Sequence, residues 1–267
     1  RTLEDELLRS NEDLAAGYAE QMDDFFISLN RLNATLAVNQ PINSYIALPH
    51  LSPTIFSGLR ESIRAQLGTT VYASDYIESI YVVSIADDQY ISKDGYRALS
   101  ALDTEDRGWR EMLSDELVPG TPAVFTRKVN NIYPYVLSYV TPVVSGENIG
   151  YIIVNVNVKH FPSLTRQSRA DVLSSYVITE DGQLLYRAMK RDLLEPLSCV
   201  PEMASFRPGE NARSCLVNGS DPYAYTQIYS PAQRYYYVTV TRLTEYTQSL
   251  STQQRFLAAF SCALLLM

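Results

Sequence analysis

The chain has 267 residues, 46% hydrophobic and 19% charged, with a formal charge of −8, the make-up of a globular protein large enough for one large domain or two ordinary ones. The acidic balance and the lack of any basic run exclude nucleic acid as a partner of this segment, because phosphate binding needs clustered Lys and Arg. His50 and His160 are the only histidines and stand far apart. No metal-ligand spacing, nucleophile elbow, phosphate loop or paired-carboxylate pattern stands out, so no catalytic residue, metal or cofactor is expected.

In chain order, the first element is a helix over residues 2–39. Leu3, Leu7, Leu14, Tyr18, Met22, Phe25, Leu29, Leu32 and Leu36 recur in three- and four-residue steps and put one apolar stripe on one face. Such a helix is about 55 Å long, which suits a spine, and its stripe offers a surface for a homodimer. Gln40-Pro41 ends it. Short helices are expected over 42–48 and 54–67, the second bounded by Pro53 and Gly68. The period then turns β-like. Residues 76–85 and a return strand from Tyr90 flank the turn at Asp87-Asp88; residues 107–117 read as a helix stopped by Pro119-Gly120. Strands follow over 123–128, 135–144 and 150–158, giving five strands with a helix between the second and third.

Residues 175–186 repeat the wording of 81–91 loosely, as strand, acidic turn, Gln, strand. Further strands are expected over 212–217, 223–229 and 235–241. The repeated order points to two similar α+β domains, each an antiparallel sheet flanked by helices. Cys199 and Cys215 bracket a Pro- and Gly-containing loop. They are either bridged, closing a loop of about 15 residues, or two separate thiols. Residues 246–267 read as a helix leading into an apolar run from Phe256, either the start of a transmembrane helix or a buried C-terminal helix.

A long helix, a larger sheet domain, a smaller sheet domain and a return into the membrane resemble the double Cache extracellular sensor domain of bacterial transmembrane receptors. Arg107-Gly108-Trp109-Arg110 resembles that family's Arg-x-Trp-Tyr segment, and residues 139–143 and 150–156 resemble its paired central strands. Residues 6–14 and 235–246 are similar to sensor regions of Gram-positive AraC-type membrane regulators and YesM-type histidine kinases. The resemblance implies an α+β fold, with a spine at 1–40, a membrane-distal PAS-like domain at 41–165, a membrane-proximal one at 166–245 and a juxtamembrane stretch at 246–267. It implies an extracellular, non-catalytic sensor on the cell membrane that binds a small molecule in the distal domain. The rival reading is a structural or interaction module at the cell surface.

In members that bind amino acids, the Arg and Trp of that segment contact the carboxylate and a strand Asp holds the amine. Arg107 and Trp109 match the first part. The motif's tyrosine is Arg110 here, the strand acid is Asn155, and the neighbouring strand carries Arg127. A guanidinium forks onto a carboxylate, so the extra arginines shift the expected ligand from an amino acid toward an organic acid or a sugar. Tyr135 and Tyr139 are further pocket candidates. Arg107 and Arg110 are alternatively solvated or paired with Asp103, Glu105 or Asp106; Trp109 belongs at least partly to the core; and Asn155, in an apolar strand, either meets backbone or faces the pocket.

Overall fold

The structure, a computed structural model, describes residues 3–48, 53–114, 116–128, 135–161, 172–188, 201–217 and 222–242. It is α+β: a long N-terminal helix followed by two antiparallel sheets. The chain divides into two compact units, one of residues 25–161 and one of residues 1–24 with 162–267.

Helix α1 (Leu3–Ala37) contributes residues to both units. Tyr18, Met22, Leu29 and Leu36 of its stripe are buried within the chain, as is Phe26 beside it. Leu14, Phe25 and Leu32 of the same stripe stay partly exposed. Gln40-Pro41 does more than end the spine. Asn39 accepts from the Ile42 amide at 3.2 Å through its side chain, and Pro41 sits in the first turn of α2 (Gln40–Ala47), where a missing N–H costs little. Helix α3 (Pro53–Tyr72) runs on through Gly68.

The unit of residues 25–161 holds a six-stranded antiparallel sheet with the order β3-β2-β1-β6-β5-β4: β1 Ile77–Ser84, β2 Gln89–Ser92, β3 Gly95–Ala98, β4 Ala123–Lys128, β5 Tyr135–Ser145 and β6 Asn148–Asn157. Strand β3 was not expected. Helices α2 and α3 pack on one face of this sheet. At Gly150 the approach is close enough that a Cβ would lie 2.6 Å from Ile46 Cδ1 and 2.7 Å from the Val83 carbonyl oxygen. The other face carries Val83, Tyr90, Val140 and Ile153, covered by Leu99, Leu102, Trp109 and Met112. The covering segment corrects the helix expected over 107–117: the helix is α4 (Leu99–Glu105), followed by a 3₁₀ turn at Arg110–Met112. Gly108 separates them at φ +93°, a conformation glycine tolerates and a helix does not contain.

The second unit holds a five-stranded antiparallel sheet with the order β8-β7-β11-β10-β9: β7 Val172–Thr179, β8 Leu184–Arg187, β9 Ala212–Val217, β10 Tyr223–Ser230 and β11 Tyr235–Arg242. Without β3, the first sheet has the same order of connections, so the loose repeat in the sequence is a repeat of topology. One face packs Tyr176, Ile178, Tyr225, Tyr236 and Val238 with Met203. The opposite face receives the first part of α1, with the Tyr18 and Tyr237 rings edge to face at 6.1 Å. Polar groups pin this seam at both ends. Asn11 Nδ2 donates to Thr226 Oγ1 at 2.7 Å while Asn11 Oδ1 accepts from Thr241 at 2.5 Å, and Asp23 accepts from Tyr237 at 2.5 Å and Ser230 at 2.7 Å.

Cys215 is half-buried on β9. Its expected bridge partner Cys199, and the expected juxtamembrane stretch 246–267, lie outside the described residues. Among the described residues no helix is long and apolar enough to cross a membrane.

Candidate functional site

Strand register decides which candidates meet. Ser79, Asn155, Ser138 and Phe125 are successive partners across β1, β6, β5 and β4, so their side chains share one face, with Arg127 two residues beyond Phe125 on the same side. This is the face covered by α4 and the 3₁₀ turn. Asp106, just past the end of α4, enters it with 0% exposure.

The result is one connected polar group. The Arg127 guanidinium forms a two-pronged ion pair with Asp106, Nη2 meeting Oδ2 at 2.7 Å, and its Nε donates to Ser138 Oγ at 2.7 Å. Asn155 Oδ1 accepts from Arg127 Nη2 at 3.0 Å and from Ser138 Oγ at 2.6 Å, and Asn155 Nδ2 donates to Ser79 Oγ at 2.9 Å. An amide with both ends engaged is what lets a fully buried Asn stand in an apolar strand. Beside this group Tyr81 meets Tyr90 edge to face at 5.7 Å. Burial raises the pKa of both phenols, and at Tyr90 the hydrogen bond it donates to Glu105, 2.7 Å, acts in the same direction.

The other candidates fall elsewhere. Trp109 is fully buried and its Nε1 donates to Asp103 Oδ1 at 2.8 Å; Arg110 forks onto the same carboxylate at 2.6 and 2.9 Å and lies over the indole, 4.6 Å from its centroid. The Arg110 hydrogen bonds hold the Asp103 carboxyl below its ordinary range, against an opposing effect of burial and with help from Trp109. Arg107 is exposed in the same segment. Tyr139 pairs with Val154 and faces the α2 side, because alternate residues of a strand point to opposite faces; it does not join Asn155. Tyr135 opens β5, and its side chain lies outside the described residues.

Two extra positive charges were expected here, and both are neutralised: Arg110 by Asp103 and Arg127 by Asp106. Asp106, Ser138 and Ser79 were missed as site residues. Asp106 was considered only as a local partner for its neighbours Arg107 and Arg110, whereas its actual partner is 21 residues on. Chemically the group is a buried, net-neutral ion pair with hydroxyl and amide neighbours. It suits recognition by hydrogen bonds and contains no nucleophile with an adjacent base. Among the described residues no three His, Cys, Asp or Glu side chains are placed to hold a metal ion.

No protein-family model and no curated protein matches the chain. Solved structures do match. The ligand-binding domain of the Campylobacter jejuni chemoreceptor Tlp3, in complex with 4-methylisoleucine, is 12% identical with a TM-score of 0.61, covering 91% of this chain and 93% of that one. The ligand-binding domain of the Pseudomonas fluorescens chemoreceptor CtaA, in complex with L-serine, is 12% identical with a TM-score of 0.59, covering 91% and 100%. The extracellular domain of rpHK1S-Z16, described as a histidine kinase, is 13% identical with a TM-score of 0.59, covering 88% and 95%. The chain therefore has the fold of the extracellular sensor domains of chemoreceptors and histidine kinases.

Proposed function

We propose that the chain is the extracellular ligand-sensing segment of a transmembrane signalling receptor, non-catalytic, and that a small polar molecule binds over the β4–β6 face of the six-stranded sheet. The observation that carries this reading is the polar group of Arg127, Asp106, Asn155 and Ser138 buried between that face and the α4 segment. A ligand that met Arg127 with a lone negative charge would strand the buried Asp106, and leaving a buried charge unpaired is costly. Ligands that bring both signs, or hydroxyl and amide groups with no net charge, suit the site better than simple anions. The amino acids named with Tlp3 and CtaA are of the first kind, and sugars are of the second. Arg107, Trp109 and Arg110 belong to the covering segment and act by positioning it. Binding would shift that segment between two arrangements, and flanking membrane helices would carry the change. The output would be of the AraC or the YesM kind, following the sequence resemblance.

The test is a thermal-shift and calorimetric screen of the chain against amino acids, organic acids, sugars and nucleobases. A ligand at a hundredfold excess over its dissociation constant stabilises the folded state by about 2.7 kcal/mol. The expected result is a hit among zwitterionic or neutral polar compounds that Asn155→Ala abolishes while the variant stays folded. No stabilisation by any compound would favour a structural module at the cell surface.

A further inference from the structure

Residues 99–113 cross the face that carries the polar group as a strap. At its start β3 runs directly into α4, and beyond its end the Gly120 amide donates to the Pro142 carbonyl of β5 at 2.8 Å. Between these ties two adjacent carboxylates fasten the middle. Asp106 meets Arg127 within the polar group described above, fully shielded from solvent. Glu105 is fastened differently. Its Oε2 accepts at 2.7 Å from the hydroxyl of Tyr90, a residue of β2 with 1% exposure, and its Oε1 meets Arg97 on β3. One carboxylate thus bridges a phenol beneath the strap and a guanidinium at its rim, where the Glu105 and Arg97 side chains are 44% and 51% exposed.

Arg97 sits on β3, the strand that the five-stranded sheet lacks, and all but the first of its four residues are exposed. This added strand serves the strap twice: it leads into α4, and it supplies the cation that holds the far end of α4 down, eight residues later. The two fastenings differ in strength. A buried ion pair resists separation because either charge alone would lack hydration, whereas a half-exposed one exchanges its partner for water at little cost. A ligand that meets Arg127 competes with or joins Asp106 directly, while Glu105 contacts neither Arg127, Ser138 nor Asn155 in the polar group. On the reading of this face as the ligand site, we infer that Glu105 is a positioning residue, the latch that sets how often the strap lifts from the polar group. A latch outside the ligand's contacts biases the balance between closed and lifted arrangements in the free protein as well as the bound one.

Trp109 is the only tryptophan of the chain, lies on the strap and is fully buried, so its fluorescence reports on the strap alone. In the whole chain without ligand, Glu105→Ala should raise the quenching of Trp109 by acrylamide, a small neutral amide. It should also speed amide hydrogen exchange at residues 103–112 by about three- to tenfold, the effect of losing one hydrogen bond and an exposed ion pair. Glu105→Gln, which keeps an acceptor for Tyr90, should fall between, and β5 and β6 should exchange as before. Glu180→Ala, which removes an exposed ion pair with Arg234 in the other unit, should change none of these readings. Quenching and exchange that stay level in Glu105→Ala overturn the inference, and so does a rise shared equally by β5 and β6, which is what a merely structural role gives. The ligand site is decided separately by the compound screen: a strap that responds as expected while no compound stabilises either the unmodified chain or Glu105→Ala leaves the latch standing and removes the site.

Discussion

Arg127 Nη2 meets Asp106 Oδ2 at 2.7 Å, and the carboxylate it meets is shut away from solvent. The pair joins strand β4 to the segment that covers the sheet. Removing one partner leaves the other charge buried alone, so Asp106→Ala lowers the unfolding free energy by about 3–5 kcal/mol. Replacing both, as Asp106→Leu with Arg127→Met, returns much of that loss, because an apolar pair of similar volume needs no hydration. Chemical denaturation of the single and double variants measures the coupling. A double variant as unstable as the sum of the singles would mean that the two residues act independently.

Gly150 is required by packing and not by backbone angle. A methyl group there would press on Ile46 Cδ1, which can move, and on the Val83 carbonyl oxygen, which cannot. Gly150→Ala is expected to cost about 1–3 kcal/mol. Shortening Ile46 to Val in the same chain recovers only part of that, since the contact with the neighbouring strand remains. Equilibrium unfolding of the three variants checks both statements.

Asp103 sets a limit at acid pH. Its folded-state pKa is depressed, chiefly by the hydrogen bonds from Arg110. A depressed carboxyl contributes stability that is present above its unfolded pKa, about 3.9, and is lost as pH falls through the lower folded value. The stability gap between the unmodified chain and Asp103→Asn should therefore be constant from pH 7 to about 5 and close below about pH 4. The carboxylate is 40% exposed, so solvent screening keeps the gap small. A gap that widened on acidification would contradict this sign.

Asn11 makes two hydrogen bonds, to Thr226 and Thr241, from a position with 4% exposure. Asn11→Ala takes one partner from each hydroxyl, leaving Thr226 its bond with Ser214 at 3.0 Å, and should cost about 1–3 kcal/mol. Hydrogen exchange should show the loosening in β10 and β11, the strands that carry those threonines. An equal loss of protection in β4–β6 would contradict the local origin of the effect.

Much of the fold could be read from the sequence, and the misses have physical causes. The strands over 212–217 and 235–241, rich in β-branched and aromatic residues in the second case, were placed within a residue of their observed limits. The helix expected over 107–117 rested on the stop at Pro119-Gly120, and the stretch also holds the apolar residues Trp109, Met112, Leu113 and Leu117. Those residues are apolar because they cover the sheet from an irregular segment, and Gly108 already forbids the helix. In the site, Asn155 was recognisable because a polar side chain interrupts an apolar strand. Asp106 was not, because an acid beside an arginine in sequence suggests a local pair, and only the register of β4 against β5 and β6 brings Arg127 to it. Tyr139 illustrates the reverse, since membership of the right strand does not give the right face.

The unit completed by residues 1–24 is discontinuous in the chain. Asn11 waits for partners 215 and 230 residues later, whereas the intervening unit is one unbroken stretch. During synthesis the stretch from Phe25 to Phe161 has all its strands as soon as β6 emerges, but the first turns of α1 have no sheet to rest on until β11 has been made. Contacts so distant in sequence form slowly. Residues 3–24 thus emerge before the sheet they rest on and dock after it has formed.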